Sequence, residues 1–149
     1  MSRDNRVNMF VTVFCGIMDT GTGEVVFANA GHNHPLLLKK SGEVSFLKTV
    51  NGLALGVMEE TLYRRETLLL EPGESLFLYT DGVTEAMNTA DELFGDDRLR
   101  GELETLAGKG PDSIAPAVME RVKEFASGAP QSDDITVMAV QYKGRRGTP

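Results

Sequence analysis

The strongest constraint on the fold is a change of hydrophobic period along the chain. Residues 9–80 carry short apolar runs rich in β-branched and aromatic residues, and turn residues separate these runs. Residues 96–125 instead place apolar side chains at helical spacing, and residues 135–142 return to a strand pattern. Many antiparallel strands followed by two helices and one closing strand indicate an α+β layer fold.

The first apolar run predicts a covered strand. Residues 9–19 are almost continuously apolar, which is typical of a central strand with both faces buried. Cys15 lies inside this run and is therefore expected to be a buried small hydrophobe. The other predicted elements are strands at 24–30, 35–40, 43–47, 62–70, 75–80 and 135–142, a Pro72-Gly73 type II turn, and helices at 96–106 and 111–125, the second with Asp112 as N-cap.

Composition bounds the class of protein. A chain of 149 residues with 41% apolar and 25% charged residues fits one globular domain, with a predicted core over 8–142 and flexible ends at 1–7 and 143–149. A net charge of −7 disfavours nucleic-acid binding. The single cysteine excludes an intrachain disulfide, and no apolar run approaches the roughly 20 residues of a membrane span. We therefore expect a cytoplasmic protein without membrane insertion.

Acidic residues stand at the ends of two strand-like runs. Asp81 follows Leu78-Tyr79-Thr80, and Asp133 with Asp134 precedes Ile135-Thr136-Val137. Two converging carboxylates repel each other by about 1 kcal/mol in bulk water and about 4 kcal/mol at an effective dielectric constant near 20, so a cation would be needed between them. Oxygen-only ligands suit Mg²⁺ or Mn²⁺. Each motif also has a simpler explanation, since Asp81-Gly82 is a common turn pair and Asp133-Asp134 could keep a loop solvated.

Two histidines form a second candidate site. His32 and His34 have a spacing that can ligate zinc when both side chains lie on one face of a strand. The chain has no further histidine, and Pro35 favours a loop at this position. A structural turn is the expected role of this segment.

The order of several motifs resembles a known family. The segments FVTVFCGIMD, FANAGHNHPLLL, GLALGV, LEPGESLFLYTDGVTEA and SDDITVMAV resemble the bacterial SpoIIE/RsbU-type protein serine/threonine phosphatases of the PP2C-like (PPM) superfamily. The similarity runs from about Asn8 to Tyr142, and YTDGVTEA, DDIT and AGHN-x-P are its most specific parts. It implies a β-sandwich flanked by helices, with two Mg²⁺ or Mn²⁺ ions at one edge.

The resemblance also implies roles for individual residues. Asp81 and Asp133 would be metal ligands, Asp134 would support them, and His32 to His34 would form a structural turn. The metals would activate water for attack on phosphoserine or phosphothreonine. The implied partners are a phosphorylated anti-anti-sigma (STAS-type) protein as substrate and an upstream sensory domain in the same polypeptide.

One family motif has no counterpart in this sequence. The family begins with a segment of the form D-x-x-G-H/K-G, whose aspartate bridges the metals, whereas Asp4 is followed by no such glycines. We therefore expect the C-terminal portion of a catalytic domain, incomplete on its N-terminal side, with weakened metal binding and exposed apolar surface that favours a homodimer. Two alternatives remain open: a non-catalytic partner-binding domain, and a jelly-roll domain that binds metal through His32 and His34.

Overall fold

The chain forms two sheets and two helices. A computed structural model describes residues 9–50, 52–131 and 133–145. The elements are β1 Val13–Met18, β2 Glu24–Ala30, β3 Leu36–Leu38, β4 Val44–Phe46, β5 Glu66–Leu69, β6 Ser75–Tyr79, α1 Gly95–Thr105, α2 Pro111–Ala126 and β7 Val137–Gln141. This order of strands, helices and closing strand confirms the predicted α+β class. The predicted flexible end at 1–7, which includes Asp4, lies outside the described residues.

The strands stack as a sandwich of two antiparallel sheets. One sheet has the order β1-β2-β5 and the other the order β4-β3-β6-β7. Side chains of β1 and β2, such as Phe14 and Val25, face Leu76 of β6 and Val140 of β7 across a gap of about 210 Å³. The inner side chains of both sheets thus meet, as in other sandwiches.

The main core lies between the four-stranded sheet and the helices. Leu36 and Phe77 of the sheet are fully buried, with no exposed surface. The helices bury side chains at the predicted helical spacing against this face: Leu99 and Leu103 from α1, and Ile114, Val118 and Val122 from α2. The helical layer therefore holds β6 and β7, whose ends carry the acidic motifs, in a rigid position.

One predicted turn forms in the structure, and one predicted helix cap does not. The Pro72-Gly73 turn forms as predicted, because Gly73 has φ +95° and the Glu74 N–H donates to the Glu71 carbonyl at 2.9 Å. The prediction of Asp112 as N-cap is wrong, since Gly110 occupies that position and Asp112 lies in the first turn. Pro111 explains the difference, because its fixed φ suits the first helical position and places the cap at the residue before it, two positions ahead of Asp112.

The first strand is not covered on both faces. Within the described residues β1 pairs only with β2, Cys15 is exposed, and Ile17 retains 75% of its surface. The predictions of a central strand and a buried Cys15 are therefore wrong. Among the residues described, both helices pack against the four-stranded sheet and not against the three-stranded sheet. The side chains of β1, β2 and β5 that point away from the sandwich therefore face solvent. We call this surface the outer sheet face and define it by Cys15, Ile17, Val26 and Leu69.

Candidate metal centre

The two acidic motifs meet at one edge of the four-stranded sheet. β6 and β7 are antiparallel neighbours, and Tyr79 at the end of β6 pairs with Val137 at the start of β7. The chain therefore leaves β6 toward Asp81 at the edge where it enters β7 from Asp133. Both aspartates are exposed there. The structure thus places at one sheet edge the two acidic segments that the sequence singled out.

Thr80 joins the two acidic segments by three hydrogen bonds. Its backbone N–H donates to the Thr136 carbonyl at 3.0 Å. Its hydroxyl donates to the Asp134 carbonyl at 2.9 Å and accepts the Thr136 N–H at 2.9 Å. A hydroxyl in this position extends the β6–β7 pairing past the end of the strands, because it takes the place of a backbone group. Asp134 thereby contributes its backbone carbonyl to the hydrogen bonds that join the two segments.

Gly82 is required by the close approach of these segments. A Cβ atom on this residue would lie 2.5 Å from the Asp134 carbonyl oxygen and 3.3 Å from that of Asp133. The atoms in contact belong to the backbone and cannot rotate away as a side chain can. The Asp-Gly pair is therefore more than a turn signal, since the glycine lets the two aspartate-bearing segments touch.

Local hydrogen bonds orient both aspartates. The Gly82 N–H donates to Asp81 Oδ1 at 3.0 Å, and the Glu85 N–H donates to the Asp81 carbonyl at 2.8 Å. The Asp134 N–H donates to Asp133 Oδ1 at 2.7 Å. These bonds limit the freedom of each side chain, and a carboxylate has a second oxygen that can serve a cation.

The donor set suits a hard cation but fills only part of a coordination shell. Asp81 and Asp133 offer carboxylate oxygens at an exposed edge, which is the chemistry that Mg²⁺ or Mn²⁺ prefers. Within residues 9–50, 52–131 and 133–145, no group of three or more His, Cys, Asp and Glu side chains is arranged to hold a metal ion. Water or further ligands would have to complete the shell, and Mg²⁺ commonly keeps several waters.

An open cleft beside Asp81 contains acidic residues that the sequence reasoning missed. Glu85, Asp96, His34 and Tyr79 line this cleft of about 410 Å³ together with Asp81. The Tyr79 hydroxyl donates to Asp96 Oδ1 at 3.3 Å. Burial, and then the negative charge of Asp96, raise the pKa of Tyr79 well above its usual range. The spacing of Asp81 and Glu85, one helical turn apart, is a signal that could have identified Glu85.

The loop that contains both histidines is fixed by Asn29. This side chain is only 2% exposed, donates from Nδ2 to the His32 carbonyl at 2.9 Å and accepts the His32 N–H at 2.8 Å. The two rings contact different hydroxyls: His32 Nδ1 lies 3.2 Å from Thr12 Oγ1, and His34 Nδ1 lies 2.9 Å from Thr49 Oγ1. Burial lowers the pKa of His32, and the nearby charge of Asp81 opposes this shift.

Comparisons with known proteins agree on one family. The profile of the family described as Stage II sporulation protein E (SpoIIE) matches residues 1–143. Protein IcfG of a Synechocystis species is 36% identical over 134 residues, which are 89% of this chain and 20% of that protein. Phosphoserine phosphatase RsbU of Bacillus subtilis is 28% identical over 78 residues, which are 52% of this chain and 23% of that protein.

A solved structure shares the fold. The phosphatase domain of the cell fate determinant SpoIIE from Bacillus subtilis, presoaked with Mn, superposes with a TM-score of 0.70 at 20% identity. The match covers 100% of this chain and 62% of that one. The chain thus spans about a fifth of the length of the curated relatives that it matches. The family match over residues 1–143 confirms the resemblance read from the motifs, and this chain belongs to the SpoIIE family.

Proposed function

We propose that this chain is part of a metal-dependent protein serine/threonine phosphatase that acts on phosphoserine or phosphothreonine of a regulatory protein. The observation that carries the proposal is the contact between the Asp81 and Asp133 segments at one sheet edge. Two acidic segments held in contact at a solvent-open edge repel each other, and a shared cation would offset that repulsion. The similarity to a protein called phosphoserine phosphatase RsbU supports the same reaction class.

The residues of the site divide into ligands and supports. Asp81 and Asp133 would bind Mn²⁺ or Mg²⁺, while Thr80 and Gly82 keep the two segments in contact. The bound metal would supply an activated water and offset charge on the phosphoryl oxygens. Among the described residues that line the cleft beside Asp81 there is no Lys or Arg. Phosphate recognition there would accordingly depend on the metal.

The biological setting follows from the family resemblance. A phosphorylated anti-anti-sigma protein of the STAS type is the proposed substrate, and an upstream sensory domain in the same polypeptide is the proposed regulator. Both belong to a cytoplasmic pathway of sigma factor control. In the described residues no helix has the length and apolar character needed to cross a bilayer.

A second candidate function is a non-catalytic partner-binding domain. The observation that favours it is the small donor set, because no group of three potential ligands is assembled in the described part of the chain. A domain of this kind would keep the sandwich and bind its protein partner without metal. It predicts that partner binding is unaffected by Asp81→Asn or Asp133→Asn.

Phosphate release distinguishes the two candidates. Because this chain spans only part of its relatives' length, the complete polypeptide of which it is proposed to be part is incubated with a phosphoserine peptide and saturating Mn²⁺. It is tested beside its Asp81→Asn and Asp133→Asn variants and the control Asp91→Asn, which changes an exposed aspartate elsewhere. The phosphatase proposal predicts Mn²⁺-dependent release that both site variants abolish and the control retains. Release that persists in Asp133→Asn would contradict it. No release from a chain that binds Mn²⁺ would favour the non-catalytic candidate.

A further inference from the structure

A second cavity adjoins the two acidic segments on the side of α2. Its volume is about 290 Å³, and mostly apolar or small residues line it. The lining that matters for the argument consists of Gly82, Ala86, Val122, Ala126, Ala129 and Ile135. We call this space the α2 cavity. It is separate from the open cleft beside Asp81, with which it shares no lining residue.

The α2 cavity begins one or two residues from each candidate metal ligand. Gly82 directly follows Asp81, and Ile135 lies two positions after Asp133. Gln131, another lining residue, donates from Nε2 to the Asp133 carbonyl at 2.7 Å. An extended peptide advances about 3.3 Å per residue, so a peptide with its phosphate at the aspartates could place a neighbouring side chain in the cavity.

The end of α2 shapes this space. Ser127 and Gly128 have φ +49° and +88°, so two successive left-handed residues turn the chain sharply away from the helix axis. The side chains on either side of this turn, Ala126 and Ala129, are too small to fill the gap. A partly open, mostly apolar recess of this size is typical of a site that binds a side chain of a partner.

Lys123 gives the α2 cavity a positive rim. It lies in the last turn of α2, is exposed, and forms no ion pair with any described carboxylate. The chain as a whole carries a net charge of −7. Lys123 therefore places a positive charge beside an apolar cavity on an otherwise acidic protein. These two features are complementary to a ligand that carries an apolar side chain and an adjacent carboxylate.

We propose that the α2 cavity binds the substrate protein beside its phosphorylated residue, with an apolar side chain in the cavity and an adjacent carboxylate paired to Lys123. This inference rests on the proposed phosphatase function and adds a sequence preference to it. A leucine-sized side chain fits the volume. Its burial should raise peptide affinity about tenfold over alanine, because several buried methyl and methylene groups are involved.

Peptide titrations followed by NMR test the proposal on the parent chain. The probes are phosphoserine peptides in a glycine-alanine host, in which one leucine is moved through the positions around phosphoserine, with and without an adjacent glutamate. We expect methyl shifts at Ala126, Ala129 and Ile135 that are strongest for one leucine position and stronger still with glutamate. Shifts that are absent from the cavity for every peptide would overturn the proposal.

Matched variants locate the two contacts. Ala126→Leu fills the cavity and should abolish the preference for leucine, whereas Ala115→Leu makes the same change on α2 away from the cavity and should keep it. Lys123→Ala should abolish the preference for glutamate, whereas Lys109→Ala removes an equal charge elsewhere and should not. Equal effects of a variant and its control would overturn the corresponding contact. The parent titrations decide the question if Ala126→Leu fails to fold.

Mn²⁺-dependent hydrolysis of p-nitrophenyl phosphate separates this proposal from the phosphatase proposal. This small substrate has no neighbouring side chain and cannot use the cavity. Hydrolysis with no cavity shifts would refute the inference and leave the phosphatase proposal intact. Cavity shifts with the leucine preference but without hydrolysis would support peptide docking and count against the catalytic function.

Discussion

Gly82→Ala introduces a single methyl group where the two acidic segments touch. The added Cβ atom would meet the Asp134 carbonyl oxygen at 2.5 Å and its carbonyl carbon at 3.0 Å, so the backbone must move. Overpacking of this kind in a buried position costs about 1–3 kcal/mol of unfolding free energy. For a chain of this size, that corresponds to a fall in Tm of about 2–4 °C for each kcal/mol. The displaced segments should also bind Mn²⁺ more weakly than those of the parent.

Urea unfolding and a Mn²⁺ titration measure the two effects. Gly101→Ala in α1 is the matched control, because a Cβ at that position meets no heavy atom within 4 Å. Removal of a helical glycine should stabilise the control by about 0.5–1 kcal/mol and leave its Mn²⁺ binding unchanged. A Gly82→Ala protein as stable as the parent, with equal Mn²⁺ affinity, would refute the inference that close contact at Gly82 holds the acidic segments together.

Three further substitutions test other parts of the account. Thr80→Val removes the hydroxyl hydrogen bonds between the acidic segments and should lower the unfolding free energy, measured by urea unfolding, by about 1 kcal/mol. Thr80→Ser keeps the hydroxyl and should retain most of the parent's unfolding free energy. Asn29→Ala leaves the His32 backbone without its partners and should cost about 1–3 kcal/mol in the same measurement; an unchanged midpoint would contradict this role. Ile17→Lys should reduce self-association through the outer sheet face in sedimentation velocity, and Leu62→Lys, at a 95% exposed loop residue, should not. Equal association in both variants would exclude that face as the contact.

The sequence predicted the element order because the two hydrophobic periods are distinct along the chain. The placement of both acidic motifs at strand ends could also be predicted, since Asp81 follows one strand pattern and Asp133 precedes another. These two strands are neighbours in the sheet. The metal role of these residues rests on the family resemblance and stays a prediction. An acidic residue at the end of a strand pattern predicts a site at the sheet edge better than an isolated acidic residue does. The reason is that the strand pattern shows where the chain leaves the core.

Other features depend on contacts that no local pattern contains. The apolar run around Cys15 predicted a covered strand, but composition alone cannot reveal whether another layer lies over a sheet face. Asp96 joins the cleft beside Asp81 only because α1 packs against the four-stranded sheet. The α2 cavity depends on the left-handed turn at Ser127, a residue type that seldom adopts that conformation.

Isothermal titration calorimetry with Mn²⁺ addresses the proposed site itself. The parent chain is titrated beside Asp81→Asn and Asp133→Asn, with Asp91→Asn as the control for loss of one exposed carboxylate. If Asp81 and Asp133 share a cation, the parent and the control should show the same saturable binding, and both site variants should show none. Saturable binding that survives in Asp133→Asn, or a parent that binds no Mn²⁺, would contradict a metal site at this edge of the sandwich.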